Sequence, residues 1–189
     1  MNEDRDLVEA VLARRRGAFE RLIERHQNLA WHIVYRMVQH PEDTRDLCQE
    51  IFLRVHQRLA QFRFESSLST WIGRIAFSVA TRHLQRRRLP LVSDAFDDED
   101  GEPMVERIGD GFDLEAAFAD AERVDAMAAA MADLPPLQRT LLTLYHLDEL
   151  GIAEIARITD MPEGTVKNYL FRGRARLRTR LEALIGEHA

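Results

Sequence analysis

The chain has 189 residues, 46% hydrophobic and 31% charged, with a net charge of -6. That length suits one ordinary domain or two small ones, and the acidic balance speaks against indiscriminate binding to nucleic acid. A single cysteine, Cys48, excludes an internal disulfide framework and a multi-cysteine zinc site.

No stretch is long and apolar enough to cross a membrane. The N-terminal MNEDRDLVEAVLARRR lacks the apolar core of a signal peptide. A cytoplasmic protein without membrane insertion is therefore expected. A short helix is predicted near Asp6 to Arg15. Residues 18 to 38 then place Phe19, Leu22, Ile23, Leu29, Ala30, Ile33, Val34 and Met37 at helical spacing, and Pro41 breaks the pattern. The next helix should start near Glu42 or Asp43, with Asp43 and Asp46 favourable in its first turn. Its apolar face carries Leu47, Ile51, Phe52, Val55 and Leu59. After a break at Arg63 to Ser67, a third long helix carries Leu68, Trp71, Ile72, Ile75, Ala76, Val79 and Leu84, with Ser67 or Ser69 as its cap. It ends in Arg82, His83, Arg86, Arg87 and Arg88 before Pro90.

From Ser93 to about Glu115 acids dominate, with Arg107 the one base, and Gly101, Pro103, Gly109 and Gly111 break regular structure. The expectation is a flexible acidic linker over 91–114. Fully extended it spans about 80 Å, enough to hold two folded units well apart. An Ala-rich helix over Leu114 to Asp133 opens the second domain. Leu134-Pro135-Pro136 starts another helix with Leu137, Leu141, Leu142 and Leu144 on its buried side, since proline suits a first helical turn. No strand-period run stands out. The fold expected is all-α, two small helical domains, 1–90 and 115–189, joined by the linker.

The stretch Glu154 to Arg180, EIARITDMPEGTVKNYLFRGRARLRTR, reads as helix, tight turn and second helix, the pattern of a helix-turn-helix. Ile152, Ile155, Ala156 and Ile158 form the packed face of the first helix. Thr159-Asp160-Met161 is the turn, and Val166 and Leu170 face inward. Glu163, Thr165, Lys167, Asn168, Phe171 and Arg172 are left outward or partly so, where a recognition helix reaches base edges and phosphates. Arg174, Arg176, Arg178 and Arg180 can extend the contact along the backbone. The plain alternative is an amphipathic hairpin with a solvated basic face.

Chemistry of other kinds finds little support. His26, His32, His40 and His56 do not follow metal-ligand spacing, and there is no phosphate-cradling glycine loop or nucleophile elbow. No catalytic residue, metal, cofactor or small-molecule substrate is expected. Cys48 reads as a packed thiol beside Leu47.

Several segments resemble the extracytoplasmic-function sigma factors, the compact branch of the sigma-70 family. Leu134-Pro135-Pro136-Leu137-Gln138-Arg139, Glu154-Ile155-Ala156 and Gly164-Thr165-Val166-Lys167 are similar to region 4, which binds the minus-thirty-five element. Glu42 through Phe52 resembles region 2.2, the surface that docks on the polymerase clamp. Phe64 through Ile72 resembles region 2.3, and Ile75-Ala76 with the basic run after it resembles region 2.4. The resemblance implies a non-enzymatic factor that binds core RNA polymerase at the beta-prime clamp and beta flap, reads a two-part promoter and opens it. An anti-sigma factor is a further implied partner. It assigns polymerase binding to Asp43, Asp46, Gln49, Glu50 and Arg54. Minus-ten DNA falls to Phe64, Ser66, Ser67, Ser78, Arg82, Arg86 and Arg87, and minus-thirty-five DNA to Glu163, Thr165, Lys167, Asn168, Phe171, Arg172 and Arg174. Phe62 to Ser67 offers the aromatic faces and small hydrogen-bonding groups that hold an extruded base, one of the two phenylalanines being buried as an anchor. Ser78, Arg82, Tyr169 and Gly173 stand where the family often has Asn, Asp, Arg and Ala. These four positions are expected on or beside DNA-facing surfaces. Two rivals are a free-standing helix-turn-helix regulator and a helical metal-dependent hydrolase, separable by co-purification with polymerase and by a metal assay.

Overall fold

The structure, a computed structural model, describes residues 2–87 and 121–186. In chain order the helices are α1 (Asn2–Leu12), α2 (Ala18–Val38), α3 (Pro41–Arg58), a 3-10 turn (Leu59–Gln61), α4 (Leu68–Arg86), α5 (Ala121–Ala132), α6 (Pro136–His146), α7 (Ile152–Thr159) and α8 (Glu163–Gly186). The expected linker and the start of the Ala-rich helix lie outside the described residues. All regular structure among the described residues is helical, as expected. The chain divides into two compact units, one built on α1 to α4 together with Arg157–Asp160, the other on α5, α6, the start of α7 and α8.

In the N-terminal unit α2, α3 and α4 pack against one another, and α1 lies against α2 and the 3-10 turn. The shared core is made by Leu22, Ile33 and Met37 of α2, Ile51 of α3, and Leu68, Ile72 and Leu84 of α4, with Leu59 beneath. Each such side chain contributes about 1.5–3 kcal/mol by leaving water. Two local devices set the helix order. Gly17, at φ 75, makes the left-handed turn between α1 and α2, where a side chain would be strained. Pro41 begins α3 rather than merely ending what precedes it. Its fixed φ suits the first helical position, and His40 caps the helix by accepting the Asp43 N–H at its Nδ1, 3.3 Å away.

In the C-terminal unit α8 packs along α6 and α5. Leu137, Leu141, Leu142 and Leu144 are all buried, and so are Arg139, Thr140 and Thr143 between them. These polar groups are satisfied inside the unit. Thr140 and Thr143 donate to the carbonyls of Pro136 and Arg139, at 2.8 and 3.0 Å. Arg139 donates to the Ala132 carbonyl at 2.8 Å, closing the end of α5. A buried donor with a partner avoids the penalty of an unmade hydrogen bond.

Candidate nucleic-acid and polymerase interfaces

The candidate docking face of α3 is narrower than the sequence assignment. Asp46 and Gln49 are exposed, while Glu50 is half-buried and paired along the helix with Arg54. Leu53, absent from the sequence assignment, is 63% exposed on the same face. Its spacing from Asp46, Gln49 and Glu50 (seven, four and three residues) is the signal that finds it. Asp43 behaves differently. Its carboxylate turns toward the end of α4, where Oδ2 lies 3.1 Å from Arg87 and 3.6 Å from His83 Nε2. Asp43 is thus a link between α3 and α4, and its carboxylate is not presented outward with Asp46.

The loop before α4 is built on rings packed at tilted angles. Phe62 is buried, 4.7 Å from the Phe64 ring and 5.3 Å from Trp71, while Phe64 is half-buried. Of the two phenylalanines, Phe62 is the anchor. Phe64 sits at φ 59, a left-handed conformation rare for a bulky residue. Ser67 rather than Ser69 caps α4, accepting the Thr70 N–H at 3.0 Å, and the Ser66 hydroxyl donates to the Ser67 carbonyl at 3.2 Å. Ser67 Oγ is also 2.7 Å from the Thr70 hydroxyl, so it is engaged on the protein side.

On α4 the structure sorts the basic run by side. Ser78, Arg82 and Arg86 are exposed at successive four-residue steps, and Arg74, missed from sequence, begins the same stripe. Arg87 stands roughly two and a half turns beyond Ser78, hence on the other side, where it meets Asp43. Cys48 is half-buried, and burial pushes its thiol up to about 11, so the reactive thiolate is scarce. His26 is buried with Nδ1 3.4 Å from Ser69 Oγ; burial lowers its pKa against the raising effect of Asp4. Among the described residues no group of acids, histidines and cysteine has the arrangement of a metal site.

On α8, Glu163 and Asn168 are exposed, and Thr165, Lys167, Phe171 and Arg172 are half-buried, with Val166 and Leu170 inside. Ile155 and Ile158 of α7 are buried, whereas Ile152 and Ala156 are only partly so. Asp160 turns the chain at φ 59. Two expectations are corrected. Arg174 is 4% exposed, because it shares the helix face of Leu170, Leu177 and Leu181. A side chain so placed does not reach a phosphate from the protein surface. Gly173 is also on the packed side: a Cβ there would come within 3.2 Å of Leu142, so its lack of a side chain serves the close crossing of α8 over α6. Farther along, Arg180 pairs with Asp133, its Nε 3.0 Å from the carboxylate.

An exposed polar helix face, a ring-lined loop beside a basic stripe, and a helix-turn-helix are features expected of a DNA-binding protein. Comparison with known proteins gives the family. The family model described as Sigma-70 region 2 matches residues 22–89, and the one described as Sigma-70, region 4 matches residues 125–177. The chain is 30% identical to the ECF RNA polymerase sigma factor SigW of Bacillus subtilis, over 88% of this chain and 90% of that one. It is 33% identical to the ECF RNA polymerase sigma-E factor of Escherichia coli, over 96% of each. The fold is similar to that of the sigma factor RpoE of Bartonella quintana, solved with the anti-sigma factor NepR. That match has a TM-score of 0.63 at 16% identity and covers 88% of this chain and 98% of the other. The chain belongs to the extracytoplasmic-function sigma factors of the sigma-70 family. Its function is that of an RNA polymerase sigma factor, a class of transcription initiation factor. No helix among the described residues is long and apolar enough to cross a membrane.

Proposed function

We propose that the chain divides this function among three surfaces. The exposed face of α3, with Asp46, Gln49, Glu50 and Leu53, docks on the beta-prime clamp of core polymerase. The loop around Phe64 and Ser66 and the stripe Arg74, Ser78, Arg82 and Arg86 receive the minus-ten element. The outer side of α8, with Glu163, Thr165, Lys167, Asn168, Phe171 and Arg172, reads the minus-thirty-five element, and the C-terminal unit meets the beta flap. Supporting this division is one observation above all. Leu53 stands 63% exposed in a row of polar side chains, an apolar centre with a polar rim. Acidic Asp46 suits a basic partner surface, where charge complementarity sets orientation and encounter rate.

Arg174 is left out of the DNA set on account of its burial, and Asp43 out of the docking set. Ser67 serves the α4 cap, and Arg87 is held by Asp43. An anti-sigma factor is a further partner in this reading, by analogy with the Bartonella protein, which was solved with one. The test is a titration of purified core polymerase with wild type and with an Asp46→Ala, Gln49→Ala double variant. The variant should bind more weakly while its thermal unfolding is unchanged. Equal affinity would remove the docking assignment.

A further inference from the structure

The loop reading above makes Phe64 the ring nearest an extruded base. In the structure that ring is not left to itself. The guanidinium carbon of Arg5 lies over its face, 4.9 Å from the centroid, in the geometry of a cation–π contact. One residue earlier, Asp4 Oδ2 accepts the N–H of Leu68 at 3.2 Å, the first residue of α4. Asp4 and Ser67 therefore accept the N–H groups of Leu68 and Thr70 at the start of α4, each of which would otherwise lack a helical partner. Asp4 is itself steadied by Arg25 of α2, whose NH2 stands 3.9 Å from Asp4 Oδ1 and 3.0 Å from Glu3. Both ends of the loop are thus tied to the first turn of α1 or to the core: Phe62 through Trp71, Phe64 through Arg5, Leu68 through Asp4.

Phe64 needs such ties. A phenylalanine at φ 59 is strained, and it persists only where its surroundings over-determine it. α1 lies before the residues matched by the region 2 family model, which begin at 22. Its contribution is specific to what Asp4 and Arg5 touch.

We propose that α1 is part of the strand-capture apparatus, with Arg5 and Asp4 as positioning residues that hold Phe64 and the α4 start in the geometry that receives an extruded base. Arg5 also brings positive charge beside the ring, where a strand backbone would pass. This inference rests on the loop reading, and the experiment separates the two. Holoenzyme made with each variant is titrated with a non-template single strand spanning the downstream element of a promoter found by run-off transcription. Duplex carrying only the upstream element is the internal reference.

Arg5→Ala should weaken single-strand binding about threefold, the scale of an exposed cation–π contact, and leave upstream duplex binding unchanged. Arg5→Lys, which keeps the cation, should restore most of it. Asp4→Ala should show a similar loss and Asp4→Asn, which keeps an oxygen acceptor, a smaller one. Phe64→Ala tests the loop itself. If Phe64→Ala weakens single-strand binding and Arg5→Ala does not, or binds more tightly, the role of α1 is overturned while the loop reading stands. If Phe64→Ala has no effect, the loop reading itself fails. Should Asp4→Ala unfold the chain, exposed Arg5 decides alone.

Discussion

Asp43→Asn separates a structural carboxylate from a docking one. The substitution keeps the size of the side chain and removes its charge. Across 3.1 Å to Arg87, the bare attraction between unit charges is about 5 kcal/mol at an effective dielectric of ~20. Arg87 is 55% exposed and Asp43 20%, so solvent screening reduces the net value to about 1 kcal/mol or less. Asp43 also lies in the first turn of α3, where a negative charge adds about 0.3–1 kcal/mol against the helix dipole. The N-terminal unit should therefore lose about 1–2 kcal/mol, a shift on the order of 5–10 °C in its melting transition by calorimetry of the full chain. The difference from wild type should shrink in 1 M salt. Affinity for core polymerase should change less than about twofold, against a several-fold loss for Asp46→Asn. The reasoning fails if Asp43→Asn melts like wild type and loses polymerase affinity as Asp46→Asn does.

Three further outcomes are expected. Leu53→Ala should weaken polymerase binding by about 1 kcal/mol or more with no loss of stability, since the side chain is exposed in the free protein; unchanged affinity would remove it from the interface. Replacing Lys167 and Arg172 together by Ala should weaken upstream duplex binding and flatten its salt dependence, whereas Arg174→Met should leave the salt slope as it was; equal slopes in all three proteins would contradict the assignment of faces. His26 titrates below its usual value because burial disfavours the charged ring, so its contribution to stability is full above pH 6.5 and is lost as pH falls below that toward the folded-state pKa. Urea midpoints at pH 7.5 and 5.5 should accordingly differ more in wild type than in His26→Gln, and an identical pH response would refute this.

Much of the fold is legible in the chain. The span 18–38 is α2 to the residue, because its apolar period is unbroken and a glycine and a proline flank it. Local arithmetic also holds the positions of Arg174 on α8 and Asp43 on α3, once applied strictly. A run such as Arg174, Arg176, Arg178, Arg180 alternates by two, and a step of two on a helix turns the side chain roughly 200°. Such a run is never one face. Arg174, four residues after Leu170 and three before Leu177, falls inside, and Arg180 is drawn to Asp133. Asp43 is likewise four residues before buried Leu47, on the edge leading inward. Other features are not legible. Arg5 over Phe64 and Asp4 at Leu68 join residues about sixty positions apart, and only packing of α1 on α2 and the 3-10 turn brings them together. Gly173, expected on or beside a DNA-facing surface, is a packing residue, since a Cβ there would come within 3.2 Å of Leu142.

These pairings also bear on how an acidic chain reads DNA. Counted along the sequence, the basic run of α4 and the ladder of α8 suggest a broad cationic surface. In the fold, Arg87 and Arg180 each face a carboxylate, and Arg174 is inside. For Arg87 or Arg180 to grip a phosphate, an existing ion pair must loosen, so the exchange gains less than a new contact made from water, by about 1 kcal/mol or less. In the proposed reading, the bases that face DNA among the described residues are Arg74, Arg82 and Arg86 on one stripe of α4, and Lys167 and Arg172 beside Asn168 on α8. Few phosphate contacts mean weak, shallowly salt-dependent binding by the free chain. Affinity for a promoter must then come from having both units engaged at once, each raising the effective concentration of the other. In the proposed reading, core polymerase docked on α3 supplies that condition while α4 and α8 stay open to DNA.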